Sequence, residues 1–228
     1  MISEKMILLT GGSGLLGKEL RKLLPDIVAP THKEMDIVKH RGPLGFELIV
    51  HCAAYTDVAR AEAQKQLCYD TNVIGTRNLA DTGIPMIYIS TEYIFNGEKG
   101  AYREDDYPDP LNFYALTKLF GEYETRRTRS VVIRTCFKPR PFEHAAACVD
   151  QFTSGDYVDV IAPEIALAVK NWKKMPPTVH IGTERKAVFD LAKQTRDVIP
   201  ITVDTIGIKL PRDTSLDTSL WQEIRRGL

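Results

Sequence analysis

Tyr114 and Lys118 stand four residues apart in a stretch, 112–126, that reads as a helix, so phenol and ammonium fall on one helix face. A free tyrosine titrates near 10 and is a poor proton donor or acceptor at neutral pH, but a neighbouring cation favours its ionised form. Lowering that pKa by roughly 3 units takes about 4 kcal/mol of differential stabilisation, within reach of a lysine and a second positive charge in the same site. The tyrosine then becomes a usable acid–base. Alone, this spacing more often marks a solvated helix face, so its meaning depends on what accompanies it.

Two features accompany it. Ser90, Thr91 and Glu92 end the apolar run 85–90, which reads as a strand. Residues at the carboxyl ends of parallel strands line the ligand crevice, and a hydroxyl there reaches a reacting oxygen. Earlier, Thr10-Gly11-Gly12-Ser13-Gly14-Leu15-Leu16-Gly17 satisfies both GxxGxxG and GxGxxG at the first strand-to-helix junction. A backbone turning tightly beneath a pyrophosphate has no room for Cβ atoms at the closest points, and the helix that follows offers free N–H groups and a positive dipole end to the anion. Glycine turn, strand-end hydroxyl and Tyr–Lys helix, in that order, predict a dinucleotide-dependent site. Where an NAD-preferring site commonly places an acid, about twenty residues on, the chain has Thr31-His32-Lys33. Those groups suit a 2′-phosphate, so NADP is the expected cofactor, with NAD second because Glu34 is adjacent.

Around these residues short apolar runs alternate with helical patterns. Runs at 6–10, 27–29, 46–51, 85–90 and 130–134 read as strands. Helices are expected at 15–24, stopped by Pro25, at 61–80, closed by Asp81-Thr82-Gly83, and at 112–126, with at most a short one at 33–40. The alternation predicts an α/β fold: a doubly wound, Rossmann-like parallel sheet. After Arg134 the rhythm changes, and Lys138-Pro139-Arg140-Pro141 marks a crossing into a smaller part, because prolines disfavour continued helix and central strand. Helices are expected there at 163–172 and 186–196, strands at 178–181 and 199–203. The expected organisation is a dinucleotide-binding domain, 1–137, and a small C-terminal substrate-binding lobe, 138–228, partly packing back on it.

Composition narrows the function classes. Thirty basic against thirty acidic side chains give zero net charge, which argues against nucleic acid or an anionic membrane as partner. The local cluster Arg126, Arg127 and Arg129 reads as the solvated end of a helix. Four cysteines without CxxC spacing point to a reducing compartment. No apolar run is long enough to span a membrane, and residues 1–5 lack a leader-like pattern, so a cytoplasmic protein is expected. The five histidines are scattered, and no metal site is expected. Cys52 reads as a small core residue rather than a nucleophile, and Trp172 and Trp221 as packing residues.

Taken together, these blocks resemble the extended short-chain dehydrogenase/reductases, and within them the dTDP-4-dehydrorhamnose reductase group. The similarity runs through the glycine turn, His51-Cys52-Ala53-Ala54-Tyr55-Thr56-Asp57, the segment from Asn72 to Ala80, and Ile89 to Gly97. It continues through Tyr102, Glu104, Asp106, Pro110, Asn112, the Tyr114 to Lys118 stretch, Gly121-Glu122, and the tail from Leu210 to Asp217. It covers nearly all of 5–140 and, more thinly, 150 to the end.

The resemblance implies Thr91, Tyr114 and Lys118 as a catalytic trio, with Thr91, Glu92, Tyr93 and Phe137 beside a sugar. It implies a cofactor lying along Gly11, Ser13, Gly14, Leu15, Leu16, Gly17, His32, Lys33, Asp36, Ile37, Cys52, Ala53, Ala54, Tyr55 and Asn72, its reactive end at Tyr114 and Lys118. The implied reaction is NAD(P)H-dependent reduction of a nucleotide-linked 4-keto-6-deoxy sugar, with Tyr114 as proton donor, Lys118 lowering its pKa and holding the ribose, and a homodimer as assembly. Two departures bear on this. Glu92 replaces the family's aspartate and Cys136-Phe137 its serine-tryptophan, and the stretch between Phe137 and Asp150 is far shorter, so part of the wall over the nucleotide sugar is missing. Remote binding energy of that kind helps drive a reacting centre into position. A cofactor-binding regulatory or sensor protein without turnover therefore stays open, as does an epimerase or dehydratase, which returns the hydride to its substrate.

Overall fold

The structure, a computed structural model, describes residues 6–40 and 42–228. Residues 1–5, read above for a leader, lie outside the described residues. The first part of the chain runs β1 (Ile7–Thr10), α1 (Leu15–Leu23), β2 (Ile27–Val28), β3 (Leu48–His51), α2 (Val58–Ala63), α3 (Lys65–Tyr69), a π turn (Asp70–Ile74), α4 (Gly75–Ala80), β4 (Met86–Thr91), α5 (Phe113–Thr125) and β5 (Ser130–Thr135). The remainder has short strands β6 (Phe137–Lys138), β7 (Ala146–Cys148), β8 (Phe152–Thr153) and β9 (Asp156–Tyr157), then α6 (Val158–Lys170), β10 (Thr178–His180), β11 (Lys186–Ala187), α7 (Val188–Lys193), β12 (Ile199–Ile201) and α8 (Ser219–Arg226).

Six strands form one parallel sheet in the order β10-β5-β4-β3-β1-β2. Its inner strands are the continuous apolar runs of the sequence, and both faces are covered: every residue of β3 and β4 is buried. On one face Leu9, Val50 and Ile87 pack with Leu16 and Leu20 of α1, Ile161 and Ile165 of α6, and Trp221 of α8. On the other, Leu8, Ile49 and Tyr88 meet Leu79, Ala80 and Ile37. Each such side chain taken fully out of water contributes roughly 1.5–3 kcal/mol. Strand order changes direction at β1, which sends one connection to β2 and receives β3 on its other side, so a crevice opens at their carboxyl ends.

Several helices differ from expectation for local reasons. Residues 33–40 form turns: Glu34 reaches back to the Thr31 amide at 2.7 Å and hydroxyl at 2.9 Å, and Asp36 accepts from the Val38 amide at 3.0 Å. The expected helix 61–80 breaks at Gln64 and carries the π turn at its middle. In α6 the proline lies inside the helix, its ring on the exposed face, and the helix starts five residues earlier than its position suggests. Past residue 138 the chain supplies β10 to the main sheet, where Thr178, Val179 and His180 pair with Val132, Ile133 and Arg134.

Candidate active site

The glycine turn is as tight as its sequence requires. Gly11 has φ +71°, and a Cβ on it would lie 2.6 Å from the Ala53 amide nitrogen, where the turn crosses the end of β3. A Cβ on Gly17 would collide with the Gly11 carbonyl and come within 2.7 Å of Gly12 Cα. The Gly14 amide donates to the Gly11 carbonyl at 2.9 Å and closes the turn. Gly14 is also the N-cap of α1 and brings no capping side chain, so the first amides of that helix are open to an anion.

One cavity of about 560 Å³ runs from this turn to the Tyr–Lys helix. Of the residues expected along a cofactor, Gly11, Ser13, Gly14, Leu15, Leu16, Gly17, His32, Asp36, Ile37, Cys52, Ala53, Ala54, Tyr114 and Lys118 line it, as do Thr91, Tyr93 and Phe137 from the expected sugar end. Four do not. Lys33 is exposed and not part of the lining. Tyr55 is bound through its hydroxyl to Gln64 at 2.9 Å. Asn72 lies behind the wall as a brace, accepting from the Tyr55 amide at 2.8 Å and donating to Thr117 Oγ1 at 2.9 Å. Glu92 is only 1 % exposed and accepts from Thr153 Oγ1 at 2.6 Å. It was expected beside a sugar, and here it is buried against Thr153 and does not line the cavity. Thr135, Cys136 and Lys138 line the cavity although the sequence did not single them out. Thr135 ends β5 and the other two follow it, so the strand-end rule that found Thr91 also covers them.

Thr91, the last residue of β4, and Tyr114, in the first turn of α5, line the same cavity. Asn112 starts α5 by accepting from the Ala115 amide at 2.9 Å, which fixes where Tyr114 enters the cavity. Burial pushes the Tyr114 phenol above the ordinary tyrosine range, and the Thr91 hydroxyl and Lys138 ammonium act in the opposite sense. Lys118 was expected to be that cation. Its ammonium instead donates to the Ile89 carbonyl at 2.8 Å, and burial lowers it to about 7 while Glu122 partly restores it. Burial also pushes the Cys52 and Cys136 thiols up to about 12, which leaves neither as a thiolate at neutral pH.

Behind the site a buried ion pair ties the two strand ends to α5. Arg134 of β5 donates to Glu122 at 2.9 and 3.1 Å, and Ser90 of β4 donates to the same carboxylate at 2.6 Å. Tyr93 is held from the other side, its hydroxyl accepting from Gln151 at 3.1 Å. Among the described residues no group of acids, histidines and cysteines could hold a metal ion, and no helix is long and apolar enough to cross a membrane.

A parallel sheet with a glycine cradle at its switch point and a Tyr–Lys helix beside it defines an extended short-chain dehydrogenase/reductase. The chain belongs to the RmlD substrate binding domain family, whose model matches residues 5–138. It is 34% identical over 147 residues to a dTDP-4-dehydrorhamnose reductase from Aggregatibacter actinomycetemcomitans, a match covering 57% of this chain and 50% of that protein. A Bos taurus methionine adenosyltransferase 2 subunit beta is 32% identical over 273 aligned positions, covering 96% of this chain and 82% of that one. Among solved structures, a dTDP-4-dehydrorhamnose reductase from Bacillus anthracis in complex with NADP superposes with TM-score 0.80 at 25% identity, covering 98% of this chain and 93% of that one. The sequence match spans about half the length of the first curated relatives.

Proposed function

We propose that this chain is an NAD(P)H-dependent reductase of a nucleotide-linked 4-keto-6-deoxy sugar, similar to dTDP-4-dehydrorhamnose reductases. The observation that carries the reading is the continuous cavity, with the Cβ-free anion cradle at one end and Thr91 and Tyr114 at the other. These residues fit a dinucleotide. Glu34, the first acid after β2, is bonded to Thr31 and does not line the cavity, Asp36, which does, is paired with Lys39 at 3.1 Å, and His32 is 81% exposed at the rim. That arrangement favours NADP over NAD.

When bound, the reduced dinucleotide supplies a hydride to the C4 carbonyl carbon. Tyr114 gives its proton to the oxygen that becomes the hydroxyl, and a phenol whose pKa is raised by burial stays protonated as a donor must. Thr91 orients that oxygen, and Lys118 offers its remaining protons to the ribose. Oxidation of NADPH, followed in absorbance with dTDP-4-dehydrorhamnose and related keto-sugar nucleotides, tests the reading. Net consumption of NADPH separates a reductase from an epimerase or dehydratase. A cytoplasmic homodimer belongs to the same reading, and cell fractionation and light scattering test it.

The likeness to a protein named as a subunit, methionine adenosyltransferase 2 subunit beta, extends over nearly the whole chain, and because folds outlive their chemistry it leaves room for a second reading, a cofactor-binding regulatory protein without turnover. Tight NADP(H) binding with no turnover on any keto-sugar nucleotide is the outcome that selects it.

A further inference from the structure

Lys138 sits in β6, paired with Tyr157 of β9, and its half-buried side chain lines the cavity wall together with Tyr93, Tyr114 and Cys136. Its Nζ makes no hydrogen bond or ion pair to any described residue. Lys118, the other lysine of the cavity, is by contrast committed to the Ile89 carbonyl. The titratable groups that face Lys138, namely Cys136, Tyr93, Glu92 and Glu143, hold its ammonium above the ordinary lysine range against the opposing effect of burial, yet none of them bonds to it. Cys136 and Tyr93 are pushed up to about 12 and Glu92 to about 7, all by burial, and the Glu143 carboxylate at the rim lies 3.4 Å from His144. A partly dehydrated ammonium left without a partner is poised for an anion.

We infer that Lys138 is the anion-binding residue of the sugar end: its ammonium takes a negatively charged oxygen group of the substrate, either the diphosphate or a carboxylate on the sugar, and thereby sets the reacting carbon against Tyr114. The inference rests on the sugar-nucleotide reading and deepens it. A charge-assisted contact there also compensates for the short stretch between Phe137 and Asp150, because it holds the ligand from the wall that remains.

Calorimetric titration of the NADP-saturated protein with dTDP, dTDP-glucose and dTDP-glucuronic acid tests this, since the two sugars differ only in the charge at C6. Lys138→Gln is expected to weaken binding roughly 10- to 100-fold, with the Kd for NADP and the melting temperature unchanged and Lys138→Arg largely restoring affinity. A loss shared by all three probes assigns the diphosphate, and a loss confined to dTDP-glucuronic acid assigns the carboxylate. Equal affinities in wild type and Lys138→Gln overturn the inference, as does a wild type that binds none of the probes. Should Lys138→Gln also lower the melting temperature, Lys138→Arg decides: retained affinity supports the charge, and lost affinity overturns it. The readout is binding, so a protein that binds the probes through Lys138 yet oxidises no NADPH sinks the reductase reading and leaves this one standing.

Discussion

The Lys118 ammonium lies 4.1 Å from the centroid of the Tyr88 ring, and the Tyr88 phenol in turn donates to the Lys118 carbonyl at 3.3 Å. One tyrosine of β4 thus supports both ends of the lysine whose helix carries Tyr114. Room for that phenol exists because residue 121, one turn further along α5, is glycine: a Cβ there would lie 2.8 Å from Tyr88 Cζ and 2.9 Å from the Asn72 carbonyl.

Gly121→Ala is therefore expected to push Tyr88 out of place and to part α5 from the π turn. The cost should be about 1–3 kcal/mol of stability, accompanied by weaker NADPH binding as Lys118 loses its support. Urea denaturation and a fluorescence titration read both quantities, and a variant with unchanged affinity and midpoint would contradict this account.

Tyr114→Phe keeps the cavity wall and removes the proton. Turnover should fall roughly 10²- to 10⁴-fold, with the Kd for NADPH nearly unchanged. If NADPH oxidation on a turned-over keto-sugar persists at the wild-type rate, the phenol is not the acid.

Glu92 gives a pH signature. Burial raises its carboxyl to about 7, whereas in the unfolded chain a glutamate titrates near 4.3. Between those values the native state holds more protons than the unfolded one, so this contribution is fully present below about 4.3 and is lost as pH rises through 7. Glu92→Gln removes the dependence. The stability of the variant relative to wild type should climb by a few kcal/mol between about pH 5 and 8. His51 and His180, held down to about 3 and 4 by burial, titrate with the opposite sign but are common to both proteins and cancel in the difference. A difference that stays flat across that range rules the assignment out.

Arg134→Met leaves the buried Glu122 carboxylate with the Ser90 hydrogen bond and the less direct charge of Lys118. Removing one partner of a buried ion pair is expected to cost about 3–5 kcal/mol, measured as a lower urea midpoint. A loss below about 1 kcal/mol would show that the pair is solvated in solution.

The inner strands, the glycine turn and the Asn112 start of α5 were legible because each rests on a local signal: an apolar run, a close approach, a cap. The same strand-end logic found Thr91, whereas Tyr93 followed from the family resemblance. What escaped depends on distant partners. The π turn is braced by Asn72 bonds to residues 17 and 45 positions away, and strands of two residues such as β6, β8, β9 and β11 are too short to show a period. Asn72 and Glu92 belong to recognisable motifs, yet whether a motif residue faces a ligand or the wall behind it is decided by side-chain direction. Lys138 was passed over because it lies just beyond the motif that precedes it.

The pairing of β10 with β5 and the burial of Trp221 against the main sheet mean that no clean cut exists at residue 138. A clamshell motion about that point would have to unzip a strand and open an apolar trench. The second part of the chain is therefore stitched into the first, and a truncation at residue 138 would strip the main sheet of its β10 edge.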